Sequence, residues 1–233
     1  MISKVASCAS LFAVPVLPFS FCRILSLMVL VCAVTSLAVS TTQTSDRATI
    51  AFRNVFKSGN PEFIEIKVRE NGSATYDIRR LDQDPNPQAF HVDAAVVKVI
   101  FDLAAKLDDF HGVDLSVRQK GANLGEKTFR YEKGGQVSEV TFTSTRDKTA
   151  TELLVIFSSI ARQEGDLADL MRAMQYEPLG VNDALLQIES DYDLFLEPRQ
   201  FLPTLDKVAA DDRIIEIARR RARALATRIR LGH

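Results

Sequence analysis

Phe63-Ile64-Glu65-Ile66-Lys67-Val68-Arg69-Glu70-Asn71-Gly72-Ser73-Ala74-Thr75-Tyr76-Asp77-Ile78-Arg79 decides the fold class. Ile64, Ile66 and Val68 alternate with Glu65, Lys67 and Arg69. A period of two with one apolar and one charged face describes a half-buried strand. Asn71-Gly72 then predicts a tight primed turn, which needs a positive φ at both central residues. The return strand points Ala74, Tyr76 and Ile78 the same way as Ile64, Ile66 and Val68. The whole stretch is therefore an antiparallel hairpin with a greasy side and a wet side.

Upstream, Ile50-Ala51-Phe52 and Val55-Phe56 predict one further strand. Downstream, Asp82 to Pro87 is a loop, and Asp93 is placed to cap a helix running from about Ala94 to Phe110, with Gly112 as its stop. Val96, Ile100, Leu103, Leu107 and Phe110 step by four and three, and Val97, Val99, Phe101 and Ala104 widen that stripe. Such a helix lies buried across the sheet. More strands are expected at Val113–Val117, Thr128–Tyr131 and Val137–Thr143, the last two joined at Lys133-Gly134-Gly135-Gln136.

From Thr149 the period changes to that of helices. Thr149-Ala150-Thr151-Glu152 reads as a capping box, followed by Leu153, Phe157, Ile160, Leu167, Met171 and Met174, with a bend expected at Gly165. Asn182 is expected to cap the next helix, which Pro198 closes. A short helix begins near Pro203, and the last follows Asp211-Asp212 with Ile215, Ala218, Ala222, Leu225 and Ile229 as its stripe. The expectation is α+β: an antiparallel sheet of about five or six strands with one packed helix, followed by a helical C-terminal part. In residue ranges, a sheet domain spans 48–146 and a helical region 147–233.

Residues 1–40 are of another kind. They contain no acidic residue, only Lys4 and Arg23 as charges, and all three cysteines, Cys8, Cys22 and Cys32. Ile24 to Val34 is an apolar run, and Ala38 with Ser40, or Ser36 with Ala38, supply the small residues that a signal peptidase requires. The segment reads as a cleaved signal or as a retained membrane anchor; residues 24–40 reach the lower length limit for a spanning helix. In either case the body is exported, periplasmic or secreted, or anchored with the domain outside. Residues 41–47 form a tether. The leader holds two of the 29 basic residues, so the remainder carries 27 basic against 30 acidic side chains. That balance does not call for nucleic acid. A thiol-free body has neither disulfides nor thiolate metal sites.

No catalytic, cofactor-binding or metal-binding constellation stands out. Gly121-Ala122-Asn123-Leu124-Gly125-Glu126-Lys127-Thr128 superficially suggests a phosphate loop, but the spacing is wrong and a strand follows where a helix N-terminus should be. Asp108, Asp109, His111 and Asp114 put carboxylates near an imidazole, and would serve a metal-assisted or acid/base hydrolase only if they converged. Arg219, Arg220, Arg221 and Arg223 cluster on the last helix. They suit an anionic partner, or else a solvated face opposite the acidic stripe Glu189, Asp193 and Glu197, with Glu216–Arg220 as an internal pair. The outward side of the hairpin, with Glu65, Lys67, Arg69, Asp77 and Arg79, is a candidate polar binding face.

The stretches Asn60 to Asp77, Leu124 to Tyr131 and Gly180 to Leu186 resemble an uncharacterised group of exported bacterial proteins. More loosely, the hairpin–helix–hairpin core is similar to small periplasmic modules that bind or inhibit other proteins. Neither resemblance assigns a residue a role. Together with the leader, they imply a non-enzymatic interaction module at the cell envelope, with an envelope protein or polymer as partner. The membrane is contacted through the N-terminal segment if that segment is not removed.

Overall fold

The computed structural model describes residues 47–117 and 125–232. The leader, residues 41–46 of the tether and residues 121–124 of the glycine loop lie outside the described residues. Six strands form one open antiparallel sheet: β1 (Thr49–Val55), β2 (Phe63–Arg69), β3 (Ser73–Arg79), β4 (Gln88–His91), β5 (Glu126–Lys133) and β6 (Gln136–Phe142). Their order is β4-β3-β2-β1-β5-β6. The alternation in the first hairpin holds: Ile66 and Val68 are fully buried, and Ile64, Tyr76 and Ile78 pack against the same core.

The first turn is built differently from the primed turn its sequence predicts. Glu70-Asn71-Gly72 is a three-residue loop with a positive φ at Gly72 alone. A third loop residue lets an ordinary turn precede one left-handed residue. Asn71 keeps its backbone out of the left-handed region, and its Oδ1 accepts from the amide and hydroxyl of Ser73 at 3.1 and 2.7 Å. Gly72 has a second reason to be glycine, since a Cβ there would lie 2.6 Å from His91 Cε1 and 2.7 Å from the Val92 carbonyl. The two-residue primed turn occurs instead at Gly134-Gly135, where both φ angles are positive.

The sixth strand is β4, not Val113–Val117. Val113–Val117 is irregular: Asp114 Oδ1 takes the Ser116 amide at 2.9 Å, and a side chain that bonds its own backbone in this way competes with a ladder. Leu115 still reaches the core, which accounts for the apolar alternation. β4 escapes sequence reading because it is four residues long with one inward side chain, Phe90, set edge-on to Tyr76 at 5.7 Å.

Helix α1 (Ala94–Lys106) starts as expected, with Asp93 Oδ1 accepting the Ala95 amide at 2.8 Å. It stops at Lys106, four residues short of the expected Phe110. Asp108, Asp109 and Phe110 have φ of 54°, 48° and 67°, a left-handed turn. That conformation costs about 1–2 kcal/mol per residue. Here it turns the Phe110 ring into the core, stacked on Phe129 at 5.3 Å, and the Ser138 hydroxyl donates to the Asp109 carbonyl. Val97, Ile100, Leu103 and Ala104 are buried, whereas Val99 faces out.

Helix α2 (Lys148–Tyr176) is capped by Asp147 rather than by Thr149. The Asp147 carboxylate accepts the Ala150 amide at 2.8 Å, and Thr151 donates its hydroxyl back to the Asp147 carbonyl at 2.7 Å, so the helix begins earlier. It runs unbroken through Gly165. Its first half joins α1 on the sheet, so that two helices share that face: Leu153, Phe157 and Ile160 pack with Phe52, Phe129 and Ile100. Its second half, with Leu170 and Ala173, enters a second cluster formed with α3 (Val181–Asp191), α4 (Leu202–Ala210) and α5 (Glu216–Leu231). Gly180, not Asn182, precedes α3, and Ile214, not Ile215, is the buried residue ahead of α5.

A polar clasp ties the helical part to the start of α1. Glu197 Oε1 takes the Asp93 amide at 2.8 Å, while Gln163 Oε1 takes the Glu197 amide at 2.9 Å. Gln200 then bridges Glu197 and the His91 carbonyl at 2.7 and 3.0 Å. Among the described residues no helix is long and apolar enough to cross a membrane.

Candidate functional site

The sheet face away from α1 and α2 carries the first set of sequence candidates. Glu65 Oε1 accepts from Arg53 at 2.8 Å, and its Oε2 lies 2.6 Å from Lys67 Nζ. Burial pushes the Glu65 carboxyl up, but Lys67 and Arg53 outweigh it, and the group ends below its ordinary range. On the neighbouring strands Arg130 sits between Glu132 and Glu139, and Thr128 meets Thr141 at 3.0 Å. These paired groups border a depression of about 300 Å³. Arg69 is exposed at the end of β2. Asp77 is buried, with Oδ2 taking Arg79 Nε at 3.0 Å. Arg79 lies over the Phe63 ring at 4.3 Å and donates to the Arg80 and Gln83 carbonyls. Asp77 and Arg79 therefore staple the loop after β3. The period of two placed Asp77 outward correctly but gave no sign of the loop that covers it.

The arginines of α5 are mostly engaged. Arg219 pairs with Asp212 and Glu216, Arg221 with Glu189 and Asn182, and Arg223 with Glu216. Glu216 thus serves Arg219 and Arg223 rather than Arg220, which is exposed and makes no ion pair among the described residues. Packing of α5 on α3 brings the acidic stripe to the basic one, and Arg228 lies over Tyr192 at 3.7 Å, with Asp193 at 3.5 Å.

Asp108 and Asp109 sit in the left-handed turn, His111 is exposed beyond it, and Asp114 is spent on the Ser116 amide. Among the described residues no three His, Cys, Asp or Glu side chains are placed to hold a metal ion.

A larger feature lies elsewhere. The end of β1, the β1–β2 loop, the end of β3 and the middle of α2 enclose a cleft of about 980 Å³. Phe52, Ile64, Ile78 and Leu154 give it an apolar wall. Asn54 is the last inward residue of β1, paired across to Ile64 and Lys127. From α2, Arg162, Asp166, Asp169 and Arg172 reach the cleft, recurring by four and three along one helix face. Asn54 Oδ1 and Asp166 Oδ2 are both buried and find no hydrogen-bond donor among the described residues.

Asp191 lies close enough for its charge to act on the Asp166 carboxyl. Burial first, and then the Asp191 charge, push Asp166 up to about 7. Asp191 accepts from Arg162 Nη1 at 3.1 Å and from Gln187 Nε2 at 2.7 Å. A second acid, Glu164, is buried on the sheet side of α2 and is also pushed up to about 7, by burial first, with Gln163 opposing and Glu197 adding to the rise. Sequence reading passed over Asp166. The available signal was the interval from Ala161 to Asp166, where the stripe of α2 carries no large apolar residue between Ile160 and Leu167.

No protein-family model matches the chain, and no curated protein matches it significantly.

Proposed function

We propose that the chain is an exported, non-enzymatic binding module of the cell envelope, and that the cleft beside α2 is its binding site. The observation that carries the reading is the pair of buried, donorless acceptors, Asn54 Oδ1 and Asp166 Oδ2, in a cleft of about 980 Å³. Ligand sites are concave and mostly apolar with a few converging polar groups, at volumes of roughly 300–1,000 Å³. Leaving a buried acceptor unmade costs about 1–3 kcal/mol, a loss that a ligand supplying donors would recover. Export rests on the acid-free leader with its apolar run and small residues. A binding role is favoured over catalysis because Asp191, the partner that would complete an acid–base pair, does not line the cleft.

Ser158 is exposed on the cleft wall, so Ser158→Trp fills the cleft without disturbing the core. The tagged full chain is expected to fractionate with the envelope and to retain a component of envelope extract that Ser158→Trp loses. Equal retention by both proteins, or recovery of the chain from the cytosol, contradicts the proposal.

A further inference from the structure

We infer that the cleft recognises a saccharide unit bearing a carboxylate or phosphate: its hydroxyls donate to Asn54 Oδ1 and Asp166 Oδ2, and its anionic group meets the guanidinium rim formed by Arg80, Arg162 and Arg172. This rests on the reading of the cleft as a binding site and adds the chemistry of its occupant.

The two ends of the cleft ask for different things. Its depth holds acceptors that are shut off from solvent in the free chain and that a ligand reaches only as the side chains over them turn aside. A neutral amide oxygen, and a carboxyl that burial and Asp191 bias toward its protonated form, call for neutral donors, and a hydroxyl is the smallest group that provides one. The rim offers donors. Arg79, Arg80, Lys127, Arg162 and Arg172 line the cleft against Asp166 and Asp169, a local cation excess in a chain with a formal net charge of −1.

Two of the three rim arginines are held loosely, whereas Arg162 is tied to the buried Asp191 at 3.1 Å. Arg80 pairs with Asp82 at 3.3 Å, with side chains 65% and 68% exposed. Arg172 pairs with Asp169 at 2.9 Å, with side chains 65% and 60% exposed. Such exposed pairs are worth about 0–1 kcal/mol. A ligand carboxylate or phosphate, which a guanidinium binds through two parallel N–H bonds, displaces them readily. The apolar wall of Phe52, Ile64, Ile78 and Leu154 suits the C–H face of a sugar ring. A cationic peptide meets the wrong rim, and a wholly apolar ligand leaves both acceptors unmade.

Titration calorimetry on the full chain at low ionic strength, with D-glucuronate, glucose 6-phosphate, D-glucose and inorganic phosphate, tests the inference. Glucuronate or glucose 6-phosphate is expected to bind at least about tenfold more tightly than glucose and than phosphate alone; which of the two is preferred tells carboxylate from phosphate. Asn54→Ala is expected to weaken the anionic sugar about tenfold, as is Asp166→Leu, which removes the second acceptor; the fold of both is checked by circular dichroism. The Arg80→Gln/Arg172→Gln pair is expected to bring the anionic sugar down to the glucose level and leave glucose unchanged.

Glucose binding as tightly as the anionic sugars, phosphate alone binding as tightly, or both depth variants binding normally would overturn the assignment. If no probe binds while Ser158→Trp still loses its envelope component, the ligand class falls and the binding-module reading stands. If Ser158→Trp retains that component, the cleft is not the site and both fall.

Discussion

Replacing Phe129 with alanine is expected to lower the unfolding free energy by about 3–5 kcal/mol, the range for truncating a fully buried phenylalanine. The Phe129 ring is the hub of the sheet core. It is fully buried and lies 5.3 Å from Phe110, 5.4 Å from Phe142 and 5.7 Å from Phe52. These rings come from a left-handed turn, from the edge strand β6 and from central β1, so no single neighbour can move to fill the void. Phe110 in particular is held in a backbone conformation that its stacking on Phe129 helps to sustain. Urea unfolding read by far-ultraviolet circular dichroism checks the value. Val137→Ala, at an exposed position, serves as control and is expected to stay within about 0.5 kcal/mol of the parent. A Phe129→Ala loss under about 1 kcal/mol would mean that this core is not organised around the ring.

The second large effect concerns pH and runs opposite to ordinary acid denaturation. Glu164 and Asp166 are pushed up to about 7 from ordinary values of 4.5 and 3.8. Below about pH 3 both groups bind protons in the folded and unfolded chains alike, and neither costs the fold anything. As pH rises past the ordinary values the unfolded chain ionises while the folded chain must stay protonated, so the unfolded state is favoured. The loss grows up to about pH 7 and then levels off, because above that point both states are ionised.

At 1.36 kcal/mol per unit of pKa the ceiling is about 3 kcal/mol for Glu164 and about 4 kcal/mol for Asp166. Glu164→Gln keeps the shape and removes the charge. It is expected to stabilise the protein by about 2–3 kcal/mol at pH 8 and to change little at pH 4, as read from urea midpoints at both. Asp166→Asn should act in the same sense, reduced by its coupling to Asp191. Glu65, held below its ordinary range by Lys67 and Arg53, contributes in the opposite direction at low pH, so comparing the parent with a Glu164→Gln/Asp166→Asn double variant isolates the two raised groups. Equal stability of parent and Glu164→Gln at pH 8 would contradict the argument. An acid whose burial destabilises the fold at neutral pH is the kind of residue that function, rather than stability, retains.

What was legible in the sequence follows from locality. The first hairpin, the Asp93 cap and the buried stripe Ala218, Ala222, Leu225 and Ile229 are each set by residues within a turn or two of one another, and each stands where periodicity puts it. What was missed depends on distant neighbours. β4 exists because β3 offers it an edge, not because Gln88–His91 has a pattern of its own. The helix ends at Lys106 because Phe110 finds Phe129. Asp77 is buried by a loop, and Asp166 matters through Asp191, 25 residues away, and through a cleft that β1 and β3 complete. The sheet-face and arginine candidates were found as charge patterns, and their side chains proved to be largely committed to one another.

That the cleft is the working surface is tested most directly by mapping backbone amide shifts during titration with D-glucuronate. Shifts are expected to be confined to residues 52–64, 78–83 and 154–172, with Asn54 and Asp166 among the largest. Shifts centred instead on Arg53, Glu65, Lys67 and Arg130 of the sheet face away from α1 and α2, or on Arg219 to Arg223 of α5, would contradict that role for the cleft.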